Sequence, residues 1–109
     1  MNNKALSILG LAQKSGNLVS GEDTTLVELK KLKVKLIIIA EDASDNTKKM
    51  FADKATYRAV EYIIFSTKQE LGKAIGKNSR AVVGVKNENF AIKIKEFVGG
   101  ESFVKDKSI

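Results

Sequence analysis

The chain has 109 residues, with 19 Lys and Arg against 13 Asp and Glu, and no His, Cys, Pro or Trp. That length suits one compact domain, and the missing Cys removes disulfides and points to a reducing, cytoplasmic setting. The missing His and Cys disfavour a zinc site and exclude a histidine-based triad, while the formal charge of +6 favours a polyanionic partner.

The opening residues MNNKALSILG lack the long apolar stretch and cleavage site of a secretory signal. From Asn3 to Lys14, Ala5, Leu6, Leu9 and Ala12 recur at helical spacing, with Ile8 and Leu11 widening the stripe. Ser15-Gly16-Asn17 stops this helix, and Gly16 suits a left-handed cap. Leu18-Val19-Ser20 reads as a very short strand. The turn Gly21-Glu22-Asp23 leads into a second helix, about Thr24 to Lys31, with acids at its start and lysines at its end, as the helix dipole prefers.

Leu36 to Ala40 is wholly apolar, which predicts a central strand covered on both faces. It is also the longest apolar run, far below the ~20 residues that a bilayer span needs, so no membrane association is expected. Ser44 is a good N-cap for a helix from Asp45 to about Ala55. Tyr62 to Phe65 is a further strand, and Ser66 or Thr67 caps a helix from Lys68 to Ile75 that Gly76 ends. The polar turn Gly76 to Arg80 precedes a third buried strand, Ala81 to Val85. In the next segment Phe90, Ile92 and Ile94 alternate like a strand, yet Phe90, Ile94, Phe97 and Val98 also share a helical face. The established alternation favours a helix, roughly Glu88 to Phe97, ended by Gly99-Gly100. The expected fold class is α/β: a three-layer α/β/α sandwich with a small four-stranded sheet. One domain covers residues 1–100, and 101–109 reads as a weakly ordered tail.

Charge is uneven along the chain. Residues 1–35 carry six Lys and three acids, residues 36–65 four basic and five acidic side chains, and residues 66–109 nine basic and five acidic ones. Both terminal thirds are therefore positive, and the fold decides whether they share one face.

Enzymatic signals are weak. Glu41-Asp42 follows the apolar strand, where open α/β sheets often bind ligands, but loop acids beside the Ser44 cap are the better explanation of the pair. The stretch Gly72 to Lys77 has Asn78 where a phosphate-binding Walker loop needs Ser or Thr, and no G-x-G-x-x-G is present. No pattern asks for a cofactor. Nucleic-acid binding finds more support. Gly21 precedes a helix N-terminus, whose backbone N–H groups can take phosphate. The carboxylates of Glu22 and Asp23 match the paired donors on a guanine edge, although first-turn acids also follow from the dipole alone. Lys14, Lys30, Lys31, Lys33 and Lys35 would neutralise an RNA backbone near that turn, and Lys14, Lys30, Lys77 and Arg80 are the candidates for phosphate contacts. Aromatic residues are few and mostly suit the core or the tail, which disfavours a base-stacking single-strand binder and favours structured RNA.

Several stretches, in this order, resemble the kink-turn-binding ribosomal-protein superfamily, and within it the small bacterial YlxQ-like branch. They are Leu9-Gly10-Leu11-Ala12-Gln13-Lys14-Ser15-Gly16, Leu18-Val19-Ser20-Gly21-Glu22, the run Leu36 to Ser44, Asn46-Thr47-Lys48-Lys49, and Leu71-Gly72-Lys73-Ala74-Ile75-Gly76. The resemblance spans about residues 4–98. It implies an α/β/α sandwich with a mixed four-stranded sheet, no catalysis, and binding to kink-turn or ribosomal RNA. In that family the first turn of the second helix enters the RNA major groove at sheared G·A pairs, and a loop before the last strand packs on a flipped-out nucleotide.

Carried over, the resemblance assigns RNA contact to Ser20, Gly21, Glu22, Asp23 and Thr24, with Ser44 near the bulge nucleotide and Lys77, Asn78, Ser79 and Arg80 as the second loop. The archaeal and eukaryotic pattern Gly-x-Asn-Glu-x-x-Lys is altered. Glu22 stands for the Asn, Asp23 for the Glu and Leu26 for the Lys, with Lys30 one turn on as a partial substitute. The second loop, apolar in well-known members, is polar here. The alternative is a ribosome- or translation-associated protein-interaction module with a diverged RNA site. Nothing in the sequence demands a dimer.

Overall fold

The computed structural model describes residues 3–98 and 102–103. Five helices alternate with strands: α1 (Asn3–Lys14), β1 (Leu18–Ser20), α2 (Glu22–Lys30), β2 (Leu36–Ile39), α3 (Asp45–Tyr57), β3 (Glu61–Ile64), α4 (Lys68–Ala74), β4 (Val82–Val85) and α5 (Glu88–Val98). A two-residue strand, β5 (Ser102–Phe103), follows. The strand order is β1-β4-β2-β3-β5. β2 and β3 run parallel, and every other neighbouring pair is antiparallel. The mixed four-stranded sheet is thus present, and β5 adds a short pairing outside β3. Ser102 and Phe103 come from the segment read in sequence as a tail; residues 101 and 104–109 of that segment, and the Gly99-Gly100 stop, lie outside the described residues.

Helices α1, α4 and α5 pack on one another over one face of the sheet, and α2 and α3 cover the other. That sandwich explains why β2 is apolar at every position. Leu36 to Ile39 are completely buried, because side chains alternate between two faces and both are covered. Phe51 of α3, Leu9 of α1, Leu29 of α2, Leu71 of α4 and Ile94 of α5 complete one continuous core. The ambiguous segment is helical. Ala91 and Ile94 point into the core with Phe90 and Val98 beside them, while Ile92 is largely exposed. A strand could not put Ala91 and Ile94 on one face.

Two helix boundaries differ from the sequence expectation by two residues. α2 begins at Glu22, two residues earlier than expected, and α3 continues to Tyr57. The longer α3 ends in a turn stabilised by backbone hydrogen bonds, not by a glycine. In that turn Ala59 N–H donates to Thr56 O at 3.0 Å and Val60 N–H to Ala55 O at 2.9 Å. α1, α2 and α4 end on the same paired bonds, the motif in which a left-handed residue follows the helix. Gly16 and Gly76 fill that position after α1 and α4, with φ of 78° and 74°. Leu32 and Ala59 fill it after α2 and α3, each at φ 60°.

Leu32 is therefore strained and also 62% exposed, so little packing holds it. A left-handed non-glycine residue costs about 1–2 kcal/mol, against about 0.5–1 kcal/mol of extra chain entropy for glycine. Leu32→Gly is expected to stabilise the fold by about 0.5–1 kcal/mol on those terms. The check is the urea midpoint, which should rise; a lower midpoint would show that Leu32 makes contacts worth more than its strain.

Candidate functional site

β1, β2 and β3 finish at one end of the sheet, where β4 begins, as the pairings Ser20 with Val83, Ile39 with Val82 and Ile39 with Ile64 show. Each of these three strands leads directly into a helix, so α2, α3 and α4 all start at this end. Their positive dipole ends are gathered together; Ser44, Asp42 and Thr67 cap the first N–H groups of α3 and α4, and α2 alone of the three has no side-chain cap.

The entry to α2 is shaped by Gly21. Its φ of 89° and ψ of 155° suit glycine, and its N–H donates to Val82 O at 2.9 Å. A Cβ added there would meet nothing within 4 Å, so the glycine serves the backbone conformation and faces open space. No side chain caps α2. Glu22 instead reaches across to α3. Thr47 Oγ1 donates to Glu22 Oε2 at 3.1 Å, and Ser44 Oγ donates to Thr47 Oγ1 at 3.0 Å. Ser44 Oγ also accepts from Thr47 N–H at 3.1 Å, the N-cap bond expected of it. One chain of hydrogen bonds therefore ties the starts of α2 and α3.

Arg80 joins the second loop to the first turn. Its Nε donates to Ser20 Oγ at 3.0 Å, and its Nη1 to Ser79 O at 3.1 Å and Asn78 O at 3.3 Å. Its backbone N–H donates to Lys68 O at 2.9 Å. The planar fork of donors lets one side chain span both segments, and Nη2 makes no hydrogen bond among the described residues. An open groove results, lined by Ser20, Gly21, Glu22, Lys68, Ser79, Arg80 and Ala81. A second depression, lined by Glu22, Ser44, Asn46, Thr47 and Met50, adjoins it through Glu22.

The loop's path depends on α4. Lys77 N–H donates to Gly72 O at 2.8 Å. A Cβ on Gly72 would lie 2.0 Å from Asn78 O and 2.9 Å from Ser79 Cα. Only glycine lets the loop lie this close against the helix.

Of the residues singled out in the sequence, Ser20, Gly21, Glu22, Ser79 and Arg80 meet in the groove, and Ser44 stands beside it. Asp23 and Thr24 are exposed on the first turn of α2, and Lys77 and Asn78 are exposed on the loop. Lys14 and Lys30 do not join them. Lys14 closes α1 just before β1 starts at the opposite end of the sheet, and Lys30 closes α2. At 1.5 Å per residue Lys30 is about 12 Å along the axis from Glu22. The positive charge of the two terminal thirds, which the sequence left either scattered or joined in one face, is therefore not joined at the groove: Lys14 and Lys30 stand at the other end of the sheet from Lys68 and Arg80. Sequence reading also missed Lys68, Asn46, Thr47 and Met50. Asn46-Thr47 stood within a resembling stretch, but their use as groove wall depends on the packing of α2 beside α3.

Of the two carboxylates considered for catalysis, Asp42 has a structural role. Asp42 Oδ1 accepts from Lys68 N–H at 2.8 Å at the start of α4, where Thr67 also caps. Among the described residues no group of three or more His, Cys, Asp and Glu side chains is placed to hold a metal, and no helix is long and apolar enough to cross a membrane.

Residues 3–95 match the model of the ribosomal protein L7Ae/L30e/S12e/Gadd45 family. The chain belongs to this family. Among curated relatives, the RNA-binding protein YlxQ of Enterococcus faecium is 38% identical over 97 residues, covering 89% of this chain and 93% of that protein. The RNA-binding protein YlxQ of Bacillus subtilis is 41% identical over 87 residues, covering 80% of this chain and 87% of that protein. The family fold extends to solved structures. A Bacillus halodurans protein of unknown function superposes with a TM-score of 0.84 at 36% identity, covering 87% of this chain and 96% of that one. A 15.5 kD RNA-binding protein of Giardia lamblia shares the fold at a TM-score of 0.73 and 22% identity, covering 88% and 82% of the two chains. The family match runs from α1 into α5 and so includes both segments that Arg80 joins.

Proposed function

We propose that the protein binds structured RNA, with kink-turns as its preferred target, at the end of the sheet where α2, α3 and α4 begin. The observation that carries this reading is the groove in which Arg80 brings the Ser20–Glu22 turn against the Ser79–Ala81 loop. The names of the two YlxQ relatives support RNA as the ligand class.

In this reading phosphates meet Arg80, Lys68 and the first N–H groups of α2, while carboxylates choose the bases. Asp23 is exposed and without a hydrogen-bond partner among the described residues, so both its oxygens can accept from a guanine N1–H and N2–H₂. Glu22 has one oxygen engaged by Thr47 and the other open. Leu26, which stands where the related pattern has Lys, packs partly buried against the core. Lys68 supplies a groove cation in its place, which Lys30 is too far along α2 to do.

The test is a titration of a kink-turn RNA and a scrambled duplex of equal length at physiological salt. The kink-turn should bind more tightly, and Asp23→Ala should cut its affinity by about 1–3 kcal/mol while leaving the duplex unchanged. Equal binding of the two RNAs would remove the proposal.

A further inference from the structure

The lysines excluded from the groove form a surface of their own. Lys30, Lys31, Lys33 and Lys35 occupy four of six consecutive positions at the end of α2 and the approach to β2, and all are exposed. Lys14 and Lys54 close the last turns of α1 and α3 at the same end of the sheet. Helix dipoles favour cations at such ends, which accounts for the lysines in the final turns. It does not account for Lys33 and Lys35, which lie past the helix.

Neutralisation within the protein does not account for them either. None of the four lysines has a carboxylate within 4.0 Å among the described residues. Glu28, the acid inside α2 beside this stretch, is paired with Lys86 at 3.4 Å. Glu61, at the start of β3, is paired with Lys95. Four like charges in six residues repel one another, and an external polyanion relieves that repulsion. The side chains are Lys and not Arg, point charges suited to phosphate and poor at bidentate base reading.

We propose that this end of the molecule is a second, sequence-independent phosphate-binding surface, which holds duplex RNA continuing beyond the segment seated in the groove. The protein then grips one RNA at two poles: selection takes place in the groove, and the lysine pole adds affinity. The inference rests on RNA binding but not on kink-turn preference.

The experiment compares the wild-type chain with a Lys31→Ala/Lys33→Ala/Lys35→Ala variant across a series of salt concentrations. Two RNAs are used, a minimal structured RNA and the same RNA extended by a duplex arm. On the extended RNA the variant should show a salt dependence shallower by about 2–3 in log–log slope, one unit or slightly less per lost phosphate contact. On the minimal RNA the slope should not change. The corresponding triple Arg variant should retain the wild-type slope, because charge alone is required. An unchanged slope for the Ala variant on the extended RNA would overturn the proposal, and so would a triple Arg variant that behaves like the Ala variant. Selective loss of binding to a polyglutamate probe with RNA slopes intact would assign the surface to an acidic protein partner instead. Failure of kink-turn preference appears separately, as equal affinities of structured and scrambled RNA for the wild-type chain.

Discussion

Gly72→Ala is expected to destabilise the protein by about 1–3 kcal/mol, the range in which overpacking of a tight site falls. The reason is a collision with backbone. The added Cβ would sit 2.0 Å from Asn78 O, and neither α4 nor the loop can yield without breaking the bonds that hold them. Those bonds are Lys77 N–H to Gly72 O and Arg80 N–H to Lys68 O. Helix propensity pulls the other way by up to about 1 kcal/mol, since alanine is favoured over glycine inside a helix; the collision outweighs it. Gly10→Ala is the internal comparison. Its Cβ would lie 3.0 Å from Ala74 O, a tight contact that a small shift of α1 relieves, so propensity and crowding should nearly cancel. Denaturant unfolding of the two variants checks this. Equal midpoints would mean that the loop moves freely and that Gly72 does not shape it. In the RNA titration, Gly72→Ala should also weaken binding, because Asn78, Ser79 and Arg80 move with the loop.

Arg80→Ala is expected to leave the fold intact and to cost about 2–5 kcal/mol of RNA affinity, the range for truncating a hydrogen-bonded charge at an interface. That is roughly 30-fold or more in Kd. Two losses combine. The groove loses the cation that Nη2 offers to phosphate, and it loses the side-chain bond between the Ser20 turn and the loop together with the two that brace the loop itself, while the pairing of Ser20 with Val83 and the Gly21 N–H to Val82 O bond keep the fold. Arg80→Lys separates them. It retains the charge but cannot reach Ser20 Oγ, Asn78 O and Ser79 O at once with a planar fork. Its affinity should therefore fall between wild type and Arg80→Ala. Wild-type affinity for Arg80→Ala would show that the groove is not the RNA site.

These expectations depend on contacts between segments far apart in sequence, which the sequence reading reached unevenly. The sequence of α and β elements was legible because periodicity is local: Leu36 to Ile39 is apolar at every position, and α1 carries a helical stripe. The turn Gly16 was legible for the same reason. The left-handed residues Leu32 and Ala59 were not, because neither side chain favours that conformation and only the backbone bonds of the finished turn impose it. Glu22 was singled out for base reading, but its bond to Thr47, 25 residues on, has no local signature. Gly72 stood within a resembling stretch without its function being apparent, since what it accommodates is Asn78, seen only when the loop folds back.

The α/β alternation, the buried centre of the sheet and the surplus of positive charge were already legible in the residues. Those follow from residue type and spacing along the chain. Tertiary structure alone decided how that charge is distributed. Strand order puts Ser20 beside Val83 and so brings Arg80 to the first turn, while the length of α2 carries Lys30 to the other end. A charge total adds over the chain without regard to position, whereas the field that a ligand meets depends on distance. The same surplus of six was therefore compatible with several distributions, and the packing of helices on the sheet puts Lys14 and Lys30 at the opposite end from Lys68 and Arg80.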